Sequence, residues 1–281
     1  MNKSLIVAIL VSLTVGIGIG YVFFHRMYIS DNKLNERLNQ AIDFLLMQYN
    51  SHLELCCVSP IYFPSTYYLV SDNLWAHKAL EGHHSNISNA IKEKLLELAE
   101  LYNLPTTDDG LPRSYKHEAI SGYTVPISFR SSNKYVLNKT CAYTIFTETC
   151  NGTMMTDWQE YADLLLFTSL SCHYEGNETG AIAHFNTAKS MWDGKGLNDT
   201  VAKKTGTYAT YKLGLLLYVT KILNQQLPFK SKLTSNLWSM QRKSDGGIVT
   251  HYTYSNNSIV PIGDANTETT SLTVIAYMYS P

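Results

Sequence analysis

The chain is short of charge. Of its 281 residues, 23 are acidic and 22 basic, the net charge is −1, and no segment gathers a run of Lys or Arg. The electrostatic footprint that nucleic-acid binding requires is missing, which excludes that class of partner. Cysteine is scarce as well. Cys56, Cys57, Cys141, Cys150 and Cys172 contain no C-x-x-C pair, so a zinc ribbon is excluded. His77, His83 and His84 lack the paired helical spacing of a zinc protease, and in Asp193–Asp199 a lysine, Lys195, stands where a calcium loop needs an oxygen ligand. Neither a metal nor an organic cofactor is expected.

What the sequence does have begins with one long apolar run. Residues 4–24 carry no charged side chain, and a helix of that length spans roughly 31 Å, close to the hydrocarbon thickness of a bilayer. The run continues through Gly16, Gly18 and Gly20 into Tyr21, Phe23 and Phe24, without the small-residue cleavage site of a signal peptide. It reads as a single uncleaved transmembrane anchor. Beyond it lie six N-x-S/T triplets, at Asn86, Asn138, Asn151, Asn177, Asn198 and Asn256. These, and a surface rich in Tyr, Thr, Ser and Asn, place residues 32–281 outside the cytoplasm as one glycosylated domain. In that setting Cys141 and Cys150 could close a short disulfide loop.

Apolar residues then recur at helical spacing. Leu34, Leu38, Ala41, Ile42, Leu45 and Leu46 form one stripe, and Ser71 or Asp72 opens a helix carrying Leu74 and Trp75. Ser85 or Ser88 begins its partner. The stretch 104–155 is rich in Pro and Thr and prefers extended structure, so it is expected as a β-rich insertion. Paired helices resume from Thr156 and Thr179, and again over 207–224 and 232–241; the last helix starts near Asn266 or Thr267. The layout predicts an all-α chain of helical hairpins.

The segment Leu237-Trp-Ser-Met-Gln-Arg-Lys-Ser-Asp-Gly-Gly-Ile248, followed by Asn266-Thr-Glu-Thr-Thr-Ser-Leu272, resembles the repeat of terpenoid cyclases, protein prenyltransferase β subunits and α-macroglobulin thioester domains. The resemblance implies an α/α toroid, an architecture also used by six-hairpin glycosidases and polysaccharide lyases. It does not bring the activities of the first three families, because no Asp-rich cyclase motif, Cys-Gly-Glu-Gln thioester or prenyltransferase zinc set is present.

Candidate chemistry follows from that layout. A toroid would bring Asp72, Asn73 and Trp75 to the same rim as His251, Tyr252, Tyr254, Asp264 and Glu268. Glycoside hydrolysis needs two carboxyls with unequal pKa values, available among Asp72, Asp264 and Glu268. A lyase would use His251 or Tyr254 as base, with Arg242 neutralising a uronate. Asn73, Trp75, Tyr252 and Arg242 are the expected substrate contacts, with a polysaccharide or glycan as partner. A non-catalytic protein binding a glycan, a peptide or an envelope protein through the same aromatic rim is the competing expectation. Each residue also has a plainer reading: Asp72 as a cap, Trp75 as core, Lys212 as a lysine snorkelling over Tyr208, and Asp163 as a partnered carboxylate at the core edge.

Overall fold

The computed structural model describes residues 32–60, 67–126 and 129–278. The expected anchor, 4–24, lies outside them; among the described residues no helix is long and apolar enough to cross a membrane. Of the described residues, those up to Gln40 belong to one compact unit and those from Ala41 to a second. In the first, 32–40 are helical; the second opens with helical residues 41–48 (together α1), of which Ala41, Phe44 and Leu45 are fully buried.

The second unit mixes helix and sheet, about 50% and 19% of the structure. A short antiparallel pair, β1 (Tyr49–Asn50) and β2 (Leu55–Cys56), follows α1. A three-stranded sheet then takes β3 (Tyr67–Leu69), β5 (Thr144–Thr149) and β4 (Asn133–Lys139) in the order β3-β5-β4, with β3 parallel to β5 and β4 antiparallel to it. A second such sheet orders β6 (Tyr208–Ala209), β7 (Val249–Ser255) and β8 (Ser258–Ala265) in sequence, all antiparallel.

The helices fall into two layers. α2 (Val70–Leu80), α9 (Thr267–Met278), α7 (Tyr211–Ile222) and α4 (Ala162–Tyr174) pack in that order as an inner row. Ten of the eleven residues of α2 are buried, so it has no solvent face. α3 (Ser85–Leu101), α5 (Glu178–Ser190) and α8 (Lys230–Ser239) each back one inner helix: α3 on α2, α5 on α4 and α8 on α7. Their burial is one-sided. α3 buries Ile91, Leu95 and Leu98, the i, i+4, i+7 stripe of an amphipathic helix. The short α6 (Thr200–Thr205) is capped by Asp199, whose carboxylate accepts from the Val201 and Ala202 amides. A 3-10 turn, His117–Ser121, packs on both α2 and α4.

The all-α toroid is therefore corrected to an α+β fold. The physical reason is plain at the Gly-Gly turn. Gly246 adopts a left-handed φ of +80°, and a Cβ on Gly247 would sit 2.5 Å from the Phe44 ring and 2.7 Å from Ala265 Cβ, so glycine is needed at both. The chain leaving that turn does not pass straight into a helix. β-branched and aromatic residues carry it out along β7, left-handed Asn256 and Asn257 reverse it, and β8 brings it back to α9. Within the 104–155 stretch, strand β5 pairs with β3 immediately before α2.

Strand-to-helix order also places the polar chemistry. α2 follows β3, α7 follows β6 and α9 follows β8 with at most one residue between, so the sheets set where those helices begin. Each inner helix carries a charged residue in its first turn: Asp72 on α2, Asp163 on α4, Lys212 on α7 and Glu268 on α9.

Candidate functional site

Those first turns share one electrostatic environment. Burial pushes the Asp72 carboxyl well above the ordinary carboxylate range, and the Glu268 and Glu148 carboxylates push it further; Lys134 opposes them weakly. Glu268 goes the other way. Burial works against its ionisation, but a hydrogen bond from His117 Nε2 at 3.1 Å, the charge of that ring and Lys116 together hold it below the usual range. Two carboxyls 196 positions apart in the chain are thus shifted in opposite directions, Asp72 upward in part by the Glu268 charge.

The donor to Glu268 is held from two sides. The His117 ring lies 4.2 Å from the Trp75 ring, and Trp75 Nε1 donates to the His117 carbonyl at 3.0 Å. The segment before it is organised by Glu118, whose side chain is 2% exposed. Its carboxylate accepts from the backbone amides of Ser114, Tyr115 and Lys116 at 3.0, 2.9 and 3.1 Å, and from the Ser114 hydroxyl at 2.8 Å. Arg113 Nε adds a charged contact at 3.3 Å. This buried clamp keeps Tyr115 in a left-handed conformation, φ +61°, that a bulky residue adopts only when its surroundings force it.

A second cluster lies alongside. Lys212, 5% exposed, pairs with Asp199 and with Asp163, the latter at 3.2 Å, and Tyr211 donates to Asp163 at 2.8 Å. Burial opposes the charge on Asp163, yet Lys212 and the Tyr211 hydroxyl keep it below the usual range; burial and Asp163 push the Tyr211 phenol far up. Asp199 also accepts from the Ala162 amide at 3.2 Å, which ties the start of α4 to the start of α6. These four side chains are paired among themselves. The plainer reading of Asp163 holds, and that of Lys212 changes: its ammonium is paired and buried.

The remaining sequence-derived residues separate into those that face the acid pair and those that do not. His251, on β7 opposite Ala209, has its basicity lowered by desolvation and by Lys212, while the Glu268 charge pulls it back up; of the acid pair only Glu268 bears on it. Trp75 supports His117. Asn73 is fully buried and spends its amide on the Cys56 amide at 2.7 Å, the Cys56 carbonyl at 3.0 Å and the Leu69 carbonyl at 2.9 Å. Tyr252 is fully buried, donates to the Lys195 carbonyl at 2.9 Å and stacks on Tyr208. Tyr254, under the Lys195 ammonium, has a buried hydroxyl with no hydrogen-bond partner among the described residues.

Asp264 and Arg242 complete one another. The Asp264 carboxylate accepts from Ser59 Oγ, Arg242 Nη1 and the Ala265 amide, and Arg242 is held by Asp245 as well. The group braces the Gly-Gly turn, and neither charge is left for a substrate. Cys141 and Cys150 lie at opposite ends of β5 with six extended residues between them, on the order of 20 Å of strand, far beyond disulfide reach. All five thiols are free. Of the sequon asparagines, Asn86, Asn151, Asn177 and Asn256 are exposed, whereas Asn138 and Asn198 are half-buried and the Thr200 of the Asn198 triplet is buried against Glu160.

Sequence reasoning passed over His117, Lys116 and Glu118. The only signal there was the density of titratable residues in Arg113-Ser-Tyr-Lys-His-Glu118, a segment without period or motif. Comparison with known proteins adds no further guide: no family model, curated protein or solved structure matches the chain. The resemblance of residues 237–272 to the toroid families therefore stands corrected, and the reading of function rests on the residues alone.

Proposed function

We propose that the chain is a carbohydrate-active hydrolase in which Asp72 is the general acid and Glu268 the general base. One feature carries the reading: burial and the Glu268 charge push the Asp72 carboxyl up, while His117 holds Glu268 down, so the two lean towards opposite protonation states. Glycoside hydrolysis asks for that asymmetry. Asp72 gives its proton to the glycosidic oxygen as the bond from the anomeric carbon to that oxygen breaks. Glu268 takes a proton from the water whose oxygen forms the new bond to the same carbon. The products are a hemiacetal and an alcohol, one water having been consumed, and proton exchange with solvent restores both carboxyls. His117 orients Glu268 and favours its ionised state, and Trp75 orients His117.

The pairing of Arg242 with Asp264 and Asp245 weighs against a lyase, which would need that cation for a uronate carboxylate. An exported setting belongs to the same proposal, supported by three sequons, at Asn151, Asn177 and Asn256, whose asparagine and hydroxyl residues are both exposed. Expression through a secretory pathway should add glycans at Asn151, Asn177 and Asn256, and not at Asn86 or Asn198, whose Ser88 and Thr200 are buried. Peptide mapping after glycosidase treatment would read this.

Wild-type protein should release reducing ends from one or more members of a panel of neutral and acidic polysaccharides. Asp72→Asn and Glu268→Gln should each reduce that release by about 10²- to 10⁴-fold, and the pH profile should be a bell with its acid limb set by Glu268 and its alkaline limb by Asp72. Cleavage that survives both substitutions, or no cleavage of any polymer, would remove the proposal.

A further inference from the structure

A cavity of about 840 Å³ contains neither member of the acid pair; Arg113, Val125, Met154, Met155, Trp158 and Glu175 are among the residues that line it. It has an open strand edge. Arg130 and Met154 face one another across a short antiparallel bridge, flanked by bonds from the Ser131 amide to the Thr153 carbonyl at 3.0 Å and from the Met155 amide to the Phe129 carbonyl at 2.9 Å. They are therefore a non-hydrogen-bonded pair, and the N–H and C=O of Met154 turn away from the partner segment. Neither group has a hydrogen-bond partner among the described residues. The cavity follows Met154 and Met155 and not the partner residues Phe129, Arg130 and Ser131. It also has an unspent donor. Trp158 is 9% exposed, its ring wedged against Phe129 at 5.5 Å and His184 at 5.7 Å, yet its indole N–H has no hydrogen-bond partner among the described residues. A buried indole ordinarily finds one. Lastly, it has a charge without a counterion. Glu175 is exposed at the C-terminal end of α4, makes no ion pair among the described residues, and adds its negative charge to that of the helix end. Arg113, the cation on the same lining, is already held by Glu118 at 3.3 Å and by the Thr124 carbonyl at 2.9 Å.

We infer that this cavity docks an extended peptide segment that carries a basic side chain. The peptide backbone adds to the Met154 edge, and Trp158 Nε1 donates to one of its carbonyls. Its basic group meets Glu175 and the end of α4, and its apolar side chains lie on Val125, Met154 and Met155. The partner is thus a basic, extended stretch of another polypeptide. A sugar would use the indole and the carboxylate but leave the strand edge and the methionines idle, and an anionic ligand would be repelled by Glu175. The cavity shares no residue with the acid pair, so the inference does not depend on the hydrolase.

Nitrogen-15 NMR of the full chain at low salt reads the docking directly. The probes are a blocked hexapeptide alternating valine and lysine, its counterpart with glutamate for lysine, and the lysine peptide N-methylated at all its amides. The lysine peptide should shift the Trp158 indole resonance, assigned through Trp158→Phe, and the Met154 amide. The glutamate peptide should bind about fivefold or more weakly, and Glu175→Gln should erase that preference. Trp158→Phe keeps the aromatic packing and should weaken the lysine peptide by about fivefold. N-methylation should abolish its binding, because the strand edge then has nothing to pair with. Circular dichroism would establish that each variant is folded. No binding of the lysine peptide, equal affinity for the two charges, a preference that survives Glu175→Gln, indifference to N-methylation, or shifts confined to the other tryptophans would overturn the inference. A cello-oligosaccharide that moves the same resonances where the peptides do not would assign the cavity to a glycan and overturn it as well.

Discussion

Asp72 and Asp264 are equally inaccessible, each 3% exposed, and they do opposite things. Asp264 is surrounded by donors: a hydroxyl, a guanidinium and a backbone amide. Asp72 has no hydrogen-bond donor to its carboxyl among the described residues and two carboxylates for neighbours. Burial by itself therefore says nothing about function. A buried charge whose partners are complete belongs to the architecture; one whose environment works against it is retained at a cost, and catalysis is a common reason for that cost.

The contrast can be attacked in order of expected effect. The largest should come from Asp264→Ala, which leaves Arg242 without its buried partner at the Gly-Gly turn; removing one member of such a pair costs about 3–5 kcal/mol. Urea denaturation would measure it, and a loss below about 1 kcal/mol would show that the brace is not structural. Lys212→Met should be nearly as damaging, because Asp163 and Asp199 would then face each other without a cation. The sign with pH is specific. The depressed carboxyl of Asp163 contributes stability that is present above the ordinary carboxylate value and lost as pH falls through its folded value, so the deficit of Lys212→Met should be greatest near neutrality and shrink on acidification.

Asp72→Asn should act in the opposite direction. A carboxyl raised on folding contributes stability that is fully present below its unfolded value and lost as pH rises through its folded value. Wild-type stability should decline across that window, and the amide should remove the decline, gaining about 1 kcal/mol or more at neutral pH. Thermal unfolding at a series of pH values would show it; a destabilised Asp72→Asn at neutral pH would place Asp72 with the architectural carboxylates. The smallest effect belongs to Lys78→Ala. Its pair with Glu81 on α2 lies half in solvent, and the change should cost no more than about 1 kcal/mol.

How much of this was legible in the sequence depends on which contacts each residue makes. α3, with its single buried stripe, is visible because its period is helical and its other face is wet. The inner helices are buried nearly all round, so their apolar pattern marks burial without saying what packs on them. β3 is three residues long and finds its partner 77 positions later at β5, a pairing no local pattern can announce. At the site, Asp72, Trp75 and Glu268 stood out because they sit in or near the first turns of helices; the Glu268 charge bears on Asp72, and Trp75 packs on the His117 ring that donates to Glu268. Asp264 looked equally catalytic and Arg242 free for a substrate, since sequence shows that a carboxylate follows a glycine turn but not that a guanidinium 22 positions earlier has already claimed it. His117 escaped for the converse reason: its importance lies in the ring above it, the carboxylate beside it and the clamp beneath it, all supplied by distant segments.

The account depends on Asp72 and Glu268 holding their protons at different acidities. Carbon-13 NMR of the side-chain carboxyls, followed with pH in the wild type and assigned through Asp72→Asn and Glu268→Gln, reads that directly. We predict two macroscopic steps, with the Glu268-dependent resonance moving below the normal glutamate range and the Asp72-dependent one well above the normal aspartate range. Two carboxyls titrating together at ordinary values, or Asp72 ionising first, would contradict it.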